Sequence, residues 1–271
     1  MTMRIWHQSI TDLTQLPGYA NRLAEHARLI LGPETVVDVH GLRPGTYPIG
    51  MAPIDMSRYR WAHHLGAVQI VENVMRAERE GYDAVAISCF LDPGLEEARG
   101  VVEIPVVSSC ETALLVSSTV GRAFGLLTID EAMAAVLRRL VRQYGFADRV
   151  TAIEALQPEM TEYELDAAFA GSPELTRRFS EHAARLIAAG ADVIIPARGV
   201  MNTVLAVNGM REVGGVPVLD SYGALLAFAE TLVRLHRRAG LRVGRRGSYA
   251  RLPDGMVQHL RSVTIAALSE L

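Results

Sequence analysis

The sequence predicts an α/β protein of two pseudo-symmetric lobes, each a mostly parallel sheet flanked by helices, with the active site in the interlobe cleft. Two observations lead to this prediction. Short runs rich in Val, Ile and Ala alternate with helix-like segments along the chain, which is typical of a parallel sheet covered on both faces. The second half of the chain also repeats the plan of the first half, which favours two similar lobes.

The first lobe is expected over residues 1–120. Its predicted strands are apolar runs bounded by polar or turn residues: Met3–Ile10, Thr35–Gly41, Tyr82–Cys89 and Glu103–Ser109. Its predicted helices are Leu65–Gly81, which ends in a capping glycine, and two that begin at Asp92 and at Cys110. The segment 41–60, "GLRPGTYPIGMAPIDMSRYR", is long for a loop, which suggests a lid or an oligomer contact.

The second lobe is expected over residues 121–230. Its predicted strands are Ala123–Thr128, Arg149–Ala155, Gly190–Ala197 and Gly215–Ser221, each followed by a helix-like segment or a loop. Residues 231–271 are expected to form a C-terminal helix and tail that pack back on the first lobe.

Helix starts in this chain carry recognisable capping patterns. Capping boxes are predicted for Ser108 with Glu111 and for Thr128 with Glu131, and cap-plus-proline pairs for Asp92-Pro93 and Ser172-Pro173. Ligands of open parallel sheets bind beyond the carboxyl ends of the strands, where helix N-termini point their unpaired N–H groups. These junctions are where functional residues are expected.

Composition excludes several classes of function. Apolar residues make up 49% of the 271 residues and charged residues 21%, with a formal net charge of −3, so nothing indicates binding to nucleic acid. We expect no secretion signal and no membrane span, because neither pattern is present. Two cysteines, Cys89 and Cys110, form neither a disulfide framework nor a CxxC zinc motif. The sequence predicts a cytoplasmic protein with reduced thiols and no metal.

An internal repeat is the most informative feature of the sequence. "GYDAVAISCFLDPGL" matches "GADVIIPARGVMNTV", and aligning Asp83 with Asp192 places Cys89 opposite Arg198. The later motifs "IPVVSSCETAL" and "VPVLDSYGALL" place Ser108 opposite Asp220 and Cys110 opposite Tyr222. Such symmetry allows an enzyme to address a substrate from two faces.

The motifs "AISCFLDPGLEEAR", "IPVVSSCETAL", "FGLLT" and "GADVIIPARG" resemble the aspartate/glutamate racemase superfamily, in particular its hydantoin-racemase-like branch. The resemblance covers most of the chain. It implies two α/β lobes and cofactor-independent chemistry at a carbon next to a carbonyl or carboxylate. In that family two cysteines flank the carbon, one removing a proton and the other returning one from the opposite side.

Cys89 matches the first cysteine of that pattern, whereas Arg198 occupies the position of the second. A guanidinium stays protonated, so Arg198 cannot act as a base, but it can bind a carboxylate or an enolate oxygen. The site is therefore predicted to hold one thiol facing a cation. A racemase-like isomerase, a decarboxylase, a hydrolase of cyclic amides or lactones, and a catalytically silent binding protein all remain open.

The predicted catalytic residues are Cys89 and Arg198. A following helix N-terminus is expected to lower the pKa of the Cys89 thiol. Arg198 is expected either to clamp a substrate anion or to pair with Asp220, and His7 to point to the outer face. The predicted substrate-binding residues lie at strand ends and helix starts: Gln8, Ser9, Phe90, Ser109, Cys110, Thr128, Gly199 and Val200. The expected partners are a small anionic or carbonyl-bearing substrate and further copies of the chain in a homo-oligomer, with no cofactor.

Overall fold

The computed structural model describes residues 2–51, 53, 55, 58–253 and 255–269, and its strands form two parallel sheets. The first sheet has the order β2-β1-β3-β4, with β1 Met3–Gln8, β2 Thr35–His40, β3 Ala84–Ile87 and β4 Val106–Ser108. The second has the order β6-β5-β7, with β5 Phe124–Thr128, β6 Val150–Ala155 and β7 Val193–Pro196.

The two sheets share one topology. A small antiparallel ribbon, β8 Glu212–Val213 and β9 Val216–Pro217, follows the second sheet. Beyond it, Val218 forms a parallel bridge with Ile194 of β7. The segment after β9 thus occupies the position that β4 holds in the first sheet. The predicted α/β class and the two-lobe repeat are confirmed.

The α-helices whose bounds lie in the described part of the chain connect and cover these sheets. They are α1 Pro17–Ile30, α2 Arg60–Arg79, α3 Leu95–Val101, α4 Ser109–Val120, α5 Glu131–Gln143, α6 Glu162–Ala167, α7 Pro173–Ala188, α8 Gly199–Val207, α9 Ser221–Ala239 and α10 Met256–Ser269. Strand β3 shows why this architecture forms. Its four residues, Ala84 to Ile87, are all fully buried, as expected for a strand with helices on both faces.

The helix α9 belongs to the second half of the chain but packs on the first sheet, against α4, β3 and β4. Its residue Tyr222 meets the ring of His7 edge-on, with the centroids 5.5 Å apart. His7 is fully buried, so the expectation that it points to the outer face is wrong. Burial lowers the pKa of His7 from 6.5 to about 3, because a charged imidazole would lose its hydration there.

The C-terminal tail also contacts the first lobe. The Arg245 guanidinium donates to the carbonyl of Val102, and Arg251 forms an ion pair with Glu103 at 2.6 Å. The expected division of the chain into lobes at residues 120 and 230 stays a prediction. The last two residues of the expected C-terminal segment, 270 and 271, lie outside the described part. No helix in the described part of the chain combines the length and the apolar character needed to cross a membrane.

The helix starts follow the predicted capping in one case of four. Ser172 caps α7, accepting a hydrogen bond from the Leu175 amide. The Thr128 capping box is wrong, because Asp130 caps α5 instead. Ser108 is the N-cap residue of α4, but its side chain makes no capping bond. The helix predicted to start at Asp92 begins only at Leu95.

Candidate active site

Cys89 and Arg198 lie just beyond the carboxyl ends of the equivalent strands β3 and β7. Both are buried, with 4% and 5% of their surfaces exposed. The two strand ends are adjacent, since a Cβ atom on Gly199 would lie 3.6 Å from the carbonyl oxygen of Ser88. Burial raises the pKa of the Cys89 thiol, and the positive charge of Arg198 acts in the opposite direction. The structure therefore brings together the two residues that the repeat aligned.

The Cys89 thiol is held in a tight turn, where its sulfur accepts a hydrogen bond from the Leu91 amide at 3.5 Å. Burial raises its pKa to about 11, although Arg198 and this hydrogen bond act in the opposite direction. The expected lowering of the pKa is wrong. No helix starts at Cys89, because the chain turns at Asp92 and Gly94 before α3 begins, so desolvation dominates. At neutral pH the group is a thiol that can donate a proton.

Asp92 holds the turn that follows Cys89 in place through hydrogen bonds of its carboxylate. Its backbone is left-handed, with a φ of 44°, a conformation that Asp tolerates better than most residues. Its buried carboxylate accepts four hydrogen bonds, from the Ser108 hydroxyl (2.6 Å), the amides of Cys110 and Glu111 (2.9 Å each) and the Tyr144 hydroxyl (2.8 Å). Asp92 thus caps α4, in place of Ser108, and ties the Cys89 turn to the second lobe through Tyr144.

Cys110 is the second residue of α4 and is fully buried. Burial raises its pKa well above the ordinary value, and the charges of Asp92 and Cys89 act in the same direction. Cys110 is therefore a protonated thiol beside the Cys89 turn. Its contact with substrate stays a prediction.

Arg198 forms a buried ion pair with Glu162, the first residue of α6. The expectation that Asp220 would be its partner is wrong. Asp220 caps α9 by accepting from the Gly223 amide at 3.0 Å, and it pairs with His26 at 2.6 Å. An N-cap carboxylate points toward the amides of its own helix, which turns Asp220 away from Arg198.

Two tyrosines that the sequence reasoning missed complete this environment. A Cβ atom on Gly199 would lie only 2.8 Å from the Tyr19 hydroxyl, so a glycine beside Arg198 lets the phenol approach. Tyr47 donates to the carbonyl of Ile10 at 2.5 Å. Burial raises the pKa of both phenols, to about 12 for Tyr19, and the charges of Cys89 and Arg198 influence both. Only the glycine following Arg198 hinted at such a close approach.

Gln8 and Ser9, the first-lobe residues predicted to bind substrate, form hydrogen bonds within the protein. The Gln8 amide oxygen accepts from Trp6 and from Asn73, and its amide nitrogen donates to a backbone carbonyl. The Ser9 hydroxyl accepts from the Thr11 amide at 3.0 Å. Both residues lie at the carboxyl end of β1 and are buried, so these bonds give them structural roles while substrate contact stays a prediction.

The remaining predicted contacts surround the same strand ends. They are Phe90, Ser109, Thr128, Gly199 and Val200, of which Phe90, Ser109, Thr128 and Val200 are buried. The Thr128 hydroxyl ends β5 and has no hydrogen-bond partner among the described residues. Because it is not needed as a helix cap, it is the one of this group whose polar atom lacks a structural use in the described chain.

The long loop after β2 reaches across to the second lobe. The carbonyl of Met51 accepts from the Tyr163 hydroxyl at 3.2 Å, and Arg58 pairs with Glu159 at 3.4 Å. The same loop carries Tyr47, whose pKa is raised by burial and further by the charge of Cys89. These contacts support the lid interpretation for its described residues; positions 52, 54, 56 and 57 lie outside the described part.

A cavity of about 520 Å³ adjoins the Asp92 turn. Helices α2 and α5 form its walls, with Tyr144 beside Asp92, and its lining includes Leu91 but neither Cys89 nor Arg198. The cavity therefore borders the candidate site without containing its chemistry. Within the described residues, no group of three or more His, Cys, Asp or Glu side chains is arranged to hold a metal ion.

The structure thus combines two parallel sheets of corresponding topology with a buried thiol and a buried cation at equivalent strand ends. The chain belongs to the Asp/Glu/hydantoin racemase family, whose model matches residues 18–229. It is therefore an enzyme of the racemase superfamily, which sets aside the reading as a silent binding protein.

Individual relatives show which branch of the family the chain resembles. A hydantoin racemase from Pseudomonas sp. (strain NS671) is 30% identical over 188 residues, covering 69% of this chain and 73% of that protein. A hydantoin racemase from Paenarthrobacter aurescens is 32% identical over 180 residues, covering 63% and 70%. The structure of allantoin racemase from Klebsiella pneumoniae matches with a TM-score of 0.76 and 25% identity over 93% of this chain and 95% of that one. These relatives confirm the predicted hydantoin-racemase-like branch.

Proposed function

We propose that this enzyme moves a proton at a carbon next to a carbonyl in a small hydantoin- or amino-acid-like substrate, without a cofactor. The observation that carries the proposal is the burial of Cys89 and Arg198 together at equivalent strand ends. The hydantoin and allantoin racemases among its relatives support the choice of substrate class.

In this proposal Cys89 is the proton donor to one face of the substrate carbon. A thiol with a pKa of about 11 is protonated at neutral pH, and an enolate or carbanion is basic enough to take its proton. Arg198 stabilises the negative charge that develops on the substrate oxygen and on the sulfur. Arg198 stands where the family pattern has the second cysteine, so the site lacks a symmetric pair of thiols. Because arginine cannot accept a proton, Arg198 does not replace that cysteine as a base.

Decarboxylation is the second candidate, and the same raised pKa favours it. Loss of CO2 from a substrate with two carbonyl groups on one carbon leaves an enolate that needs only a proton donor. Cys89 supplies that donor. Hydrolysis through a thioester needs a thiolate nucleophile, which the raised pKa disfavours.

Proton exchange distinguishes these reactions. Each enantiomer of 5-benzylhydantoin is incubated with the enzyme in D2O, and loss of the C5 proton is followed by NMR together with optical rotation. We expect racemisation accompanied by exchange, and we expect Cys89→Ser to abolish the racemisation. Release of CO2 from a substituted malonate, without hydantoin exchange, would establish the second candidate instead. Exchange of both enantiomers at the wild-type rate in Cys89→Ser would refute the role of the thiol.

The assembly and location of the enzyme are further parts of the proposal. Trp61, Leu65 and Val68 expose 63%, 37% and 46% of their surfaces on one face of α2. An exposed apolar face of this kind favours association with a second copy of the chain, which supports a homo-oligomer. We propose that this oligomer works in the cytoplasm on a small-molecule substrate. Sedimentation velocity of the wild type and of Trp61→Lys tests the oligomer; equal masses at the monomer value would refute it.

A further inference from the structure

The carboxylate of Glu162 is a buried titratable group that the proposed mechanism has not yet used. Its side chain is fully buried, and it pairs with Arg198, which occupies the position of the second cysteine in the family pattern. Helix α6 does not need Glu162 for its start, because Thr161 and Glu164 form the capping box of that helix.

Three other buried carboxylates act as caps of helices or turns. Asp92 caps α4, Asp130 caps α5, and Asp12 caps a short turn after β1. Glu162 instead pairs with Arg198 next to the strand end, and the capping box of α6 is complete without it. A buried ion pair stabilises a fold no better than apolar residues of similar volume. Packing alone therefore gives a weak reason for two charged groups at this place.

We propose that Glu162 is the second acid–base residue of the site, serving the face of the substrate carbon opposite Cys89, with Arg198 as the shared counter-ion of both groups. This inference rests on the proposed function, which it completes. The carboxylate comes from the neighbouring helix α6 because the equivalent strand end carries a residue that cannot take a proton.

The proton balance of this arrangement is simple. For one enantiomer, the C–H bond breaks, its electron pair enters the enolate, and the proton passes to the Glu162 carboxylate. The Cys89 S–H bond then breaks, its proton joins the other face of the carbon, and its electron pair stays on sulfur. The opposite enantiomer follows the reverse path from the state with a thiolate and a protonated Glu162.

Arg198 neutralises the negative charge in both states of this proton transfer. Before the reaction the guanidinium neutralises the Glu162 carboxylate, and afterwards it neutralises the Cys89 thiolate. The three groups together keep a net charge of zero in both states. A buried site tolerates such a transfer because no charge is created without a partner.

The test uses both enantiomers of 5-benzylhydantoin in D2O, with exchange in buffer alone subtracted. Glu162→Gln is expected to lose at least about 100-fold in exchange of one enantiomer, while the other still exchanges through Cys89 without inversion. Cys89→Ser is expected to show the opposite enantiomer preference. Glu159→Gln is the matched control, since that nearby carboxylate is 45% exposed and pairs with Arg58, and it should exchange both enantiomers at the wild-type rate.

Each outcome decides the inference. Opposite enantiomer preferences in the two variants support it. An equal loss for both enantiomers in folded Glu162→Gln shows a counter-ion role only and overturns it, leaving the proposed function intact. If Glu162→Gln does not fold, Glu162→Asp keeps the charge but withdraws the carboxylate, and the same enantiomer-selective loss is required of it. Absence of exchange by the wild type overturns the proposed function and this inference with it.

Discussion

Acid should destabilise this protein through His7. The pKa of His7 is about 3 in the folded protein and 6.5 in the unfolded chain, because the ring is fully buried against Tyr222. Below pH 6.5 the unfolded chain therefore binds a proton that the folded protein refuses, and stability falls until the pH reaches about 3. At about 1.4 kcal/mol per pKa unit, His7 alone removes about 2 kcal/mol between pH 7 and pH 5.

The assay is urea unfolding at pH 7, 6 and 5 for the wild type and for His7→Leu. Burial also lowers the pKa values of His40 and His63, so several histidines contribute to the acid sensitivity of the wild type. The difference between the pH dependences of the two proteins isolates the contribution of His7. We expect the free energy of unfolding of the variant to fall by about 2 kcal/mol less over this range. Equal pH dependence in the two proteins would refute a buried neutral imidazole at this position.

Three further changes probe the site. Cys89→Ala should abolish turnover while the thermal midpoint moves by less than about 3 °C, because the removed side chain is small and lies at a strand end; an active variant in a turnover assay contradicts the catalytic role. Tyr144→Phe should cost about 1.5–3 kcal/mol in urea unfolding, since it removes a hydrogen bond to the Asp92 carboxylate, and unchanged stability would contradict this contact. Arg198→Lys keeps the charge but loses the planar guanidinium, so kcat/KM should fall at least about 10-fold, and an unchanged value would show that only charge matters.

The fold could be predicted from the sequence because its determinants are local. Continuous apolar strands such as Ala84–Ile87 are visible as runs, and the repeat fixed the equivalence of the two halves. The capping predictions failed where two residues competed for one set of amides. Asp92 reaches α4 from a turn about 18 residues earlier in the chain, and only tertiary packing brings its carboxylate closer than the Ser108 side chain.

The candidate site was predictable in its position but not in its charges. The repeat located Cys89 and Arg198, since both follow a strand in equivalent motifs. The partner of Arg198 was not readable, because Glu162 lies 36 residues earlier in a separate helix. The sign of the Cys89 pKa shift depended on the depth of burial, which a strand-end position does not reveal.

The unequal side chains at the two equivalent strand ends have a kinetic consequence. Mirror-image substrates meet a site that is not its own mirror image, so they bind with different affinities. In a racemisation the two enantiomers have equal free energies in water, and thermodynamics then requires the same kcat/KM in both directions. The enantiomer with the lower KM must accordingly have the lower kcat, by the same factor. If this enzyme racemises its substrate, as proposed, it should therefore turn over one enantiomer faster at saturation, yet bring every mixture to the same racemic end point.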